Sequence, residues 1–258
     1  MSDGEVRLER EGPVARVTFD RPAARNAMTW HMYARLGEIC AELARDESVR
    51  VAVLRGAGGK AFVAGTDIAQ FLEFKSGEDG IRYEERIEGY LGALETLPMP
   101  TLAVVEGWAV GGGLAIAACC DFRIATPGAQ FGVPIARTLG NCLSVANTAR
   151  LVAGLGAARA KRVLLLAETI AAEEAKAAGF VLDVVAPAEL DARVAALAER
   201  LARHAPVTMR VAKEAIRRIV RSGLPDDHDL VRLAYGSDDF HRGVRAFVEK
   251  KEAEWTGR

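Results

Sequence analysis

The N-terminal two thirds of the chain alternate between short β-branched runs and longer apolar segments with helical spacing. Positions 14–19 alternate between apolar and polar side chains, which predicts a strand with Val17 and Phe19 on one face. Further on, four apolar residues recur with the i, i+3, i+4, i+7 spacing of an amphipathic helix, namely Leu36, Ile39, Cys40 and Leu43. Strand and helix patterns keep alternating to about residue 185, and this predicts crossover units on a mainly parallel sheet, an α/β fold.

The last part of the chain has only helical patterns. Three amphipathic segments are predicted there, at 189–203, 207–221 and 238–254. Such helices cover a sheet or form an assembly surface, and the pattern leaves both open. Upstream, the run Gly77-Glu78-Asp79-Gly80 predicts a flexible loop before a charged helix over 81–94.

Two glycine-bearing segments each join a β-branched run to an apolar helical segment. The runs 51–54 and 102–105 lead into the segments 61–68 and 106–113. At strand-to-helix junctions the backbone N–H groups are unpaired, and the helix dipole favours negative charge there. Two such groups that converge form an oxyanion hole for a carbonyl oxygen that gains charge. The triple glycine 111–113 also suits close packing of a helix on a sheet, and both interpretations can hold together.

Several motifs resemble the crotonase superfamily, the enoyl-CoA hydratase/isomerase fold. They run in family order over nearly the whole chain: Asp20 to Met28, Ala64 to Ile68, Gly111 to Gly113, Cys120-Asp121, Gln130 to Pro134, Ala172 to Ala175 before Gly179, and Gly243 to Lys250. The resemblance implies a (ββα) spiral core over residues 1–195 that binds acyl-CoA. It also implies a C-terminal helical oligomerisation region over 196–258, with trimers or dimers of trimers as the assembly.

The same resemblance implies the site residues. The backbone N–H groups of Thr66 and Gly112 would hold the thioester oxygen. The path of coenzyme A would be lined by Ala24, Arg25, Ala27, Ala64, Asp67 and Ile68, with Phe247 and Lys250 contributed by the terminal helix of this or a neighbouring subunit. Arg25 suits a phosphate because its guanidinium forms paired hydrogen bonds, although a solvated surface arginine is the alternative. Lys250 could equally complement a helix dipole.

The chain departs from the family at its acid–base positions. The two glutamates of the hydratases correspond here to Ala115 and Ile135, or to Ala136 if the register shifts by one. Water addition needs a base for the water and an acid for the α-carbon, and neither alanine nor isoleucine can act as one. The resemblance therefore implies an acyl-CoA enzyme that works through an oxyanion or enolate, by isomerisation, decarboxylation or thioester hydrolysis, rather than an ordinary hydratase.

Other polar residues remain as candidates. Arg137, Asn141 and Ser144 could bind a substrate carboxylate or hydroxyl, and Cys142 could react or simply pack. The acidic candidates over the presumed acyl pocket lie on a charged segment whose simpler interpretation is a solvated helix face: Glu73, Glu84, Glu85 and Glu88. Glu106, at a strand end, suits a structural acid.

Composition limits the alternatives. The 258 residues carry a formal net charge of −1, which argues against a nucleic-acid partner. No 18-residue apolar segment or signal peptide is predicted, and the four cysteines read as reduced thiols of a cytoplasmic protein. The scattered histidines suggest no metal site, and coenzyme A would be part of the substrate rather than a cofactor. Two other hypotheses stay open: a catalytically inactive CoA-binding oligomer, and a hydratase that uses a non-standard carboxylate.

Overall fold

The computed structural model describes residues 3–257. The strands are β1 Glu5–Glu11, β2 Val14–Asp20, β3 Val51–Gly56, β4 Ala61–Ala64, β5 Thr101–Val105, β6 Trp108–Val110, β7 Phe122–Ala125, β8 Gln130–Gly132, β9 Thr169–Ala171 and β10 Asp183–Val184. The α-helices are α1 Trp30–Leu43, α2 Gly77–Glu95, α3 Gly112–Cys119, α4 Ile135–Thr138, α5 Val145–Leu155, α6 Ala157–Leu165, α7 Ala172–Ala177, α8 Leu190–Ala202, α9 Pro206–Arg221, α10 His228–Tyr235 and α11 Asp238–Glu249. Short 3-10 helices span Pro22–Ala24, Ile68–Glu73 and Pro187–Glu189.

The strands form two sheets, and each sheet is parallel except at one edge. The larger has the order β1-β2-β3-β5-β7-β10, with β1 antiparallel to β2. The smaller has the order β4-β6-β8-β9, with β9 antiparallel to β8. Successive strands along the chain alternate between the sheets from β3 to β8, so each turn of the chain adds a strand to both. This is the spiral that the resemblance implied, and the α/β fold class is confirmed.

The central strands are buried on both faces. All five residues of β5 are buried, which matches the near-continuous apolar runs of parallel strands covered by helices. One face of the larger sheet carries a second apolar cluster, formed by residues of β3, β5 and β7 with five residues of α8, namely Leu190, Val194, Leu197, Ala198 and Leu201. Helix α8 thus covers the sheet. The boundary predicted between residues 195 and 196 falls inside this helix, and the division into a core and an assembly region stays a prediction.

The sequence prediction was wrong at the start of α2. Gly77 to Gly80 form the first turn of α2 rather than a flexible loop. Ser76, the residue before the helix, and Asp79 form a capping box that stabilises this turn. The two glycines allow α10 to pack closely, because a β-carbon on Gly80 would lie 2.3 Å from the ring of Tyr235. Glycine there serves helix contact rather than flexibility.

The C-terminal helices also differ from the prediction. Helix α10 was not foreseen, and the last helix ends at Glu249 rather than at residue 254. The strand pattern with which the predicted alternation ends, over 181–185, corresponds to a strand of only two residues, β10. Helix α9 matches its prediction, yet none of its residues is buried.

Candidate active site

Thr66 occupies the junction between β4 and the 3-10 helix at Ile68–Glu73. A single bridge joins it to Met28, using the carbonyl of Gly65 and the N–H of Asp67 at 2.9 and 2.8 Å, and the N–H of Thr66 takes no part in it. The Thr66 side chain is occupied elsewhere: its hydroxyl lies 3.0 Å from that of Tyr33. At position 66 the backbone N–H, rather than the side-chain hydroxyl, is therefore the group available to a ligand.

Gly112 begins α3 at the matching junction after β6. As the first residue of the helix, it has an N–H group without an acceptor inside the helix. The two junctions meet, because a β-carbon on Gly112 would lie 3.2 Å from the Thr66 hydroxyl and 2.3 Å from that of Tyr33. Gly113 packs against β4, where a β-carbon would come within 1.9 Å of the Val63 carbonyl oxygen. The triple glycine thus serves close packing and also brings the start of α3 next to Thr66.

The loop over residues 21–27 is fixed against the same junction. Its Arg25 and Asn26 both have left-handed backbones, with φ of 51° and 59°. The buried Asn26 side chain stabilises this conformation by accepting a hydrogen bond from the N–H of Arg21 and donating to the carbonyls of Ala57 and Ala61. The Arg25 carbonyl accepts a hydrogen bond from the N–H of Ala64 at 3.0 Å. The Arg25 side chain is exposed.

A cavity of about 180 Å³ opens beside the two junctions. Its lining is largely apolar: Ala64, Ile68, Phe71, Ile87, Val110, Ala115, Pro134, Ile135, Leu139, Leu143 and Phe247. Thr66 and Gly112 lie on this lining, and Glu84 is the carboxylate that lines it in the described part of the chain. An apolar pocket with a few convergent polar groups and one carboxyl is the usual form of a small-molecule site.

Glu84 is buried, with 7% of its surface exposed. Desolvation by burial raises the pKa of its carboxyl to about 7, and hydrogen bonds from Tyr235 and Ser144, which favour the ionised form, oppose the shift only in part. The Tyr235 hydroxyl donates to the carboxylate at 2.8 Å. A carboxyl with a pKa near neutrality can both accept and return a proton at physiological pH.

The other acidic candidates do not reach the cavity. Glu73 and Glu85 are exposed, and Glu88 binds Arg150 instead. Glu106 pairs with Arg55 at 2.7 Å, in agreement with a structural acid. The sequence contained a signal for Glu84 that the prediction did not use: it is in helical phase with the buried residues of α2, Ile81, Ile87, Leu91 and Leu94.

The two positions at which the resemblance implies glutamate in hydratases both line the cavity. Ala115 lies in the second turn of α3, and Ile135 begins α4 after Pro134; both are buried. Ala136, the alternative in a shifted register, is exposed. The cavity wall is therefore apolar at both positions.

The polar segment after α4 divides into residues inside and outside the cavity. Asn141 and Cys142 line it, whereas Arg137 is exposed. Ser144 caps α5, since its hydroxyl accepts from the N–H of Asn147. Burial raises the pKa of the Cys142 thiol to about 12, so this thiol is protonated and unsuited to nucleophilic attack.

Of the remaining residues implied for the coenzyme, Phe247 reaches the cavity from α11 of the same chain and is 48% exposed, so it lies at the rim. Lys250 ends that helix in a left-handed conformation and is exposed. Asp67 caps the 3-10 helix and pairs with Arg21 at 2.8 Å. Ala24 and Ala27 are half-buried in the loop beside Ala64. Contact of these residues with coenzyme A stays a prediction.

Within residues 3–257, no helix has the length and apolar character to span a bilayer, and no group of three or more His, Cys, Asp or Glu side chains could hold a metal ion. The four cysteines are free thiols.

Two interleaved parallel sheets, with two strand-to-helix junctions that meet at an apolar cavity, define the class of crotonase-fold proteins. Solved structures of this class match the chain closely. An enoyl-CoA hydratase/carnithine racemase from Magnetospirillum magneticum is 33% identical with a TM-score of 0.80, covering 100% of this chain and 97% of that one. A methylmalonyl-CoA decarboxylase in complex with 2-nitronate-propionyl-CoA is 25% identical with a TM-score of 0.89, covering 98% of each chain.

Sequence comparison gives the family. The model of the enoyl-CoA hydratase/isomerase family matches residues 9–258. A short-chain-enoyl-CoA hydratase of Clostridium acetobutylicum is 35% identical over 263 residues, and a 2,3-dehydroadipyl-CoA hydratase of Escherichia coli is 33% identical over 260; each alignment covers at least 98% of both proteins. The chain belongs to the enoyl-CoA hydratase/isomerase family and is an acyl-CoA-processing enzyme of the crotonase superfamily.

Proposed function

We propose that the protein moves the double bond of an enoyl-CoA thioester, with Glu84 as its single acid–base group and the N–H groups of Thr66 and Gly112 as its oxyanion hole. One observation carries this proposal: Glu84 is the carboxylate that lines the cavity beside Thr66 and Gly112 in the described residues. Its raised pKa, about 7, suits a group that must first take and then return a proton.

The reaction begins with a 3-enoyl-CoA. The Glu84 carboxylate removes a proton from the α-carbon, and the electron pair of the C–H bond moves onto the thioester oxygen, forming a dienolate. The N–H groups of Thr66 and Gly112 stabilise that oxygen; one such donor typically contributes about 2.7–4 kcal/mol. Protonated Glu84 then delivers its proton to the γ-carbon, and the double bond comes into conjugation with the thioester. Atoms and charge balance without water.

Hydration is less favoured by this site, although the named relatives include hydratases. Water addition uses two positioned carboxyl groups, and the cavity wall carries Ala115 and Ile135 where the resemblance puts them. Decarboxylation, suggested by the solved decarboxylase, is less favoured for another reason. A substrate carboxylate beside ionised Glu84 would meet like charge, and Arg137 is exposed outside the cavity.

The test compares two substrates on one enzyme. 3-Hexenoyl-CoA should gain the absorbance of a conjugated thioester at an ordinary enzymatic turnover, about 1–10³ s⁻¹, whereas crotonyl-CoA should lose it far more slowly. Glu85→Gln, on an exposed neighbour of the same helix, is the matched control and should leave both rates unchanged. Fast hydration of crotonyl-CoA without isomerisation of 3-hexenoyl-CoA would instead make Glu84 the base of a non-standard hydratase.

We also propose that the enzyme forms an oligomer and works in a reducing compartment. Self-association, as a trimer or a dimer of trimers, is supported by apolar side chains exposed along α9 and α10: Val207, Val211, Ile216, Ile219, Leu230 and Leu233. Sedimentation at micromolar concentration should give a species of at least three chains, and a single-chain species would contradict this.

The free thiols support a reducing compartment such as the cytoplasm.

A further inference from the structure

Tyr83 lies between the cavity and a second concave space, here called the aromatic groove. The groove has a volume of about 620 Å³. It is lined by the half-buried rings of Trp30, Phe74 and Tyr83 and by charged residues of α2. Within residues 3–257, Tyr83 is the residue that lines both the groove and the cavity. The two spaces are therefore neighbours with a shared wall.

The contacts of the Tyr83 ring show that the side chain forms this wall. The ring contacts Phe71, which lines the cavity, with the two ring centroids 5.0 Å apart. It also contacts Trp30 and Phe74, which line the groove, with centroid distances of 5.4 and 6.0 Å. The Tyr83 ring thus lies between the aromatic lining of the cavity and that of the groove.

A hydrogen bond fixes the far end of the same side chain. The Tyr83 hydroxyl lies 3.2 Å from that of Thr66, at the junction that follows β4. The side chain therefore spans the distance from α2 to this junction. Because its backbone belongs to a helix and its ring packs against other rings, the wall is in place before a ligand arrives.

The closed cavity limits the length of the acyl chain. Its volume of about 180 Å³ is close to that of an engineered apolar cavity, about 150 Å³, that holds the six carbons of benzene. An acyl chain of about six carbons fills such a space. The groove on the other side of Tyr83 is larger and has an aromatic floor, so it suits the rest of a longer chain.

We propose that Tyr83 sets the chain length of the substrate. The wild-type enzyme takes acyl chains of up to about six carbons, the number that the cavity holds. Without the Tyr83 side chain, a longer chain passes between α2 and the Thr66 junction and lies on Trp30 and Phe74. The proposal rests on the proposed function for the identity of the site, but it concerns the recognition of the acyl chain rather than the chemistry.

The test measures binding, which needs no turnover. The dissociation constants of butyryl-CoA, hexanoyl-CoA and decanoyl-CoA are compared by calorimetry. Each methylene group that becomes buried should tighten binding about four-fold. Wild type should therefore bind hexanoyl-CoA at least about ten-fold more tightly than butyryl-CoA, and it should bind decanoyl-CoA no more tightly than hexanoyl-CoA.

Two variants assign this limit to the ring. Tyr83→Ala opens the wall and should make decanoyl-CoA bind at least about ten-fold more tightly than hexanoyl-CoA, because further methylene groups become buried. Tyr83→Phe is the matched control, since it keeps the ring and removes only the hydroxyl, and it should keep the wild-type order. Circular dichroism checks that both variants are folded.

A third variant locates the longer chain. Adding Trp30→Ala to Tyr83→Ala removes part of the groove floor and should reduce the gain for decanoyl-CoA by at least about three-fold, since Trp30 lines the groove but not the cavity. An unchanged gain would contradict the path proposed for the chain.

Tighter binding of decanoyl-CoA than of hexanoyl-CoA by wild type, about ten-fold or more, would overturn the proposal without any variant. A folded Tyr83→Ala protein that shows no gain would overturn it as well, and so would an equal gain in Tyr83→Phe. A failure of the proposed isomerisation looks different, because the order of binding would remain while 3-hexenoyl-CoA was not turned over.

Discussion

Glu84 and Glu88 are one helical turn apart on α2, and their surroundings give them opposite properties. Glu84 faces the apolar cavity, where burial raises the pKa of its carboxyl to about 7. Glu88 binds Arg150 through both carboxylate oxygens and also binds Arg221, and these hydrogen bonds and charges hold the pKa of its carboxyl below the usual value despite partial burial.

The difference shows what separates a carboxyl that can exchange a proton near neutral pH from one that is held in its charged form. The Arg150 side chain is only 2% exposed, and it also binds Glu95, so Glu88 belongs to an ion cluster that joins α2, α5 and α9. Among the described residues, Glu84 accepts hydrogen bonds from neutral donors, the Tyr235 hydroxyl and Ser144, and the nearby negative charge of Asp227 adds to the rise of its pKa. A neighbouring cation commits a carboxylate to its charge, whereas a neutral, dry environment leaves it able to exchange a proton.

Neutralising each carboxyl in turn should give the largest difference between the two. Glu84→Gln should lower the turnover of 3-hexenoyl-CoA by about 10²–10⁴-fold, because it removes the proton carrier but keeps an acceptor for Tyr235. Glu88→Gln should change turnover by less than about two-fold in the folded protein, because Glu88 does not line the cavity. Initial rates under saturating substrate measure both. Equal losses in the two variants would contradict separate roles.

The next effect concerns the oxyanion donors with which Glu84 is proposed to act. A direct Gly112→Pro change is ambiguous, because any β-carbon there would clash with the Tyr33 hydroxyl. In a Tyr33→Phe background the nearest atoms are the Thr66 hydroxyl oxygen at 3.2 Å and a ring carbon at 3.7 Å, so the severe clash is removed and a tight contact with Thr66 remains. There, Gly112→Pro should reduce turnover about 10²–10³-fold, since it deletes one N–H donor, while Gly112→Ala keeps the donor.

If the proline and alanine variants are both folded by circular dichroism and have similar turnover, the N–H of Gly112 is not an oxyanion donor.

Stability should move in opposite directions for the two carboxyls. The pKa of Glu84 is about 7 in the folded protein against 4.5 for the free side chain, so the folded state retains a proton that the unfolded state loses, and stability falls as the pH rises from 4.5 to 7. A carboxyl pKa raised from 4.5 to about 7 corresponds to roughly 3 kcal/mol of lost stability at pH 8. Glu84→Gln should therefore stabilise the protein at pH 8 by up to that amount, and hardly at pH 4.

Glu88→Gln should do the reverse. The pKa of Glu88 is lowered, so its contribution is present above the unfolded pKa and is lost as the pH falls through the folded value. At pH 8 the substitution should cost about 1.5–3 kcal/mol, the range for hydrogen bonds to charged groups. Urea unfolding of both variants at pH 8 and pH 4 measures the four values. Destabilisation by Glu84→Gln at pH 8 would mean that its carboxylate is structural.

The smallest effect is the pH dependence of the wild-type rate. If ionised Glu84 abstracts the proton, kcat/KM for 3-hexenoyl-CoA should fall about ten-fold per pH unit below about 7 and level off above it. Glu85→Gln should keep this profile, since Glu85 is exposed. A fall in kcat/KM with its midpoint near pH 4.5 would instead indicate that an ordinary surface carboxylate is the base.

Much of the fold and part of the site could be predicted from the sequence. The β-branched runs, the helical spacing of α1 and the two glycine junctions are local features, and the structure has strands, helix and junctions at those places. Ala115 and Ile135 were identified as apolar replacements, and both line the cavity. The start of α2 was not predicted, because the need for glycine at position 80 comes from Tyr235 on a distant helix.

The residue proposed as the acid–base group could be favoured from the sequence but not assigned. Helical phase puts Glu84 with the buried residues of α2, but Glu73, Glu84, Glu85 and Glu88 belong to one charged segment, and the prediction left all four open. The packing of α2 against α10 makes the assignment, through a hydrogen bond between Glu84 and Tyr235, which are 151 positions apart. The sequence by itself thus determined the family, the paired junctions and the missing glutamates, because these are properties of short segments. The tertiary structure decided which carboxyl is dry and which is paired, because a pKa depends on the neighbours that folding brings within a few ångströms.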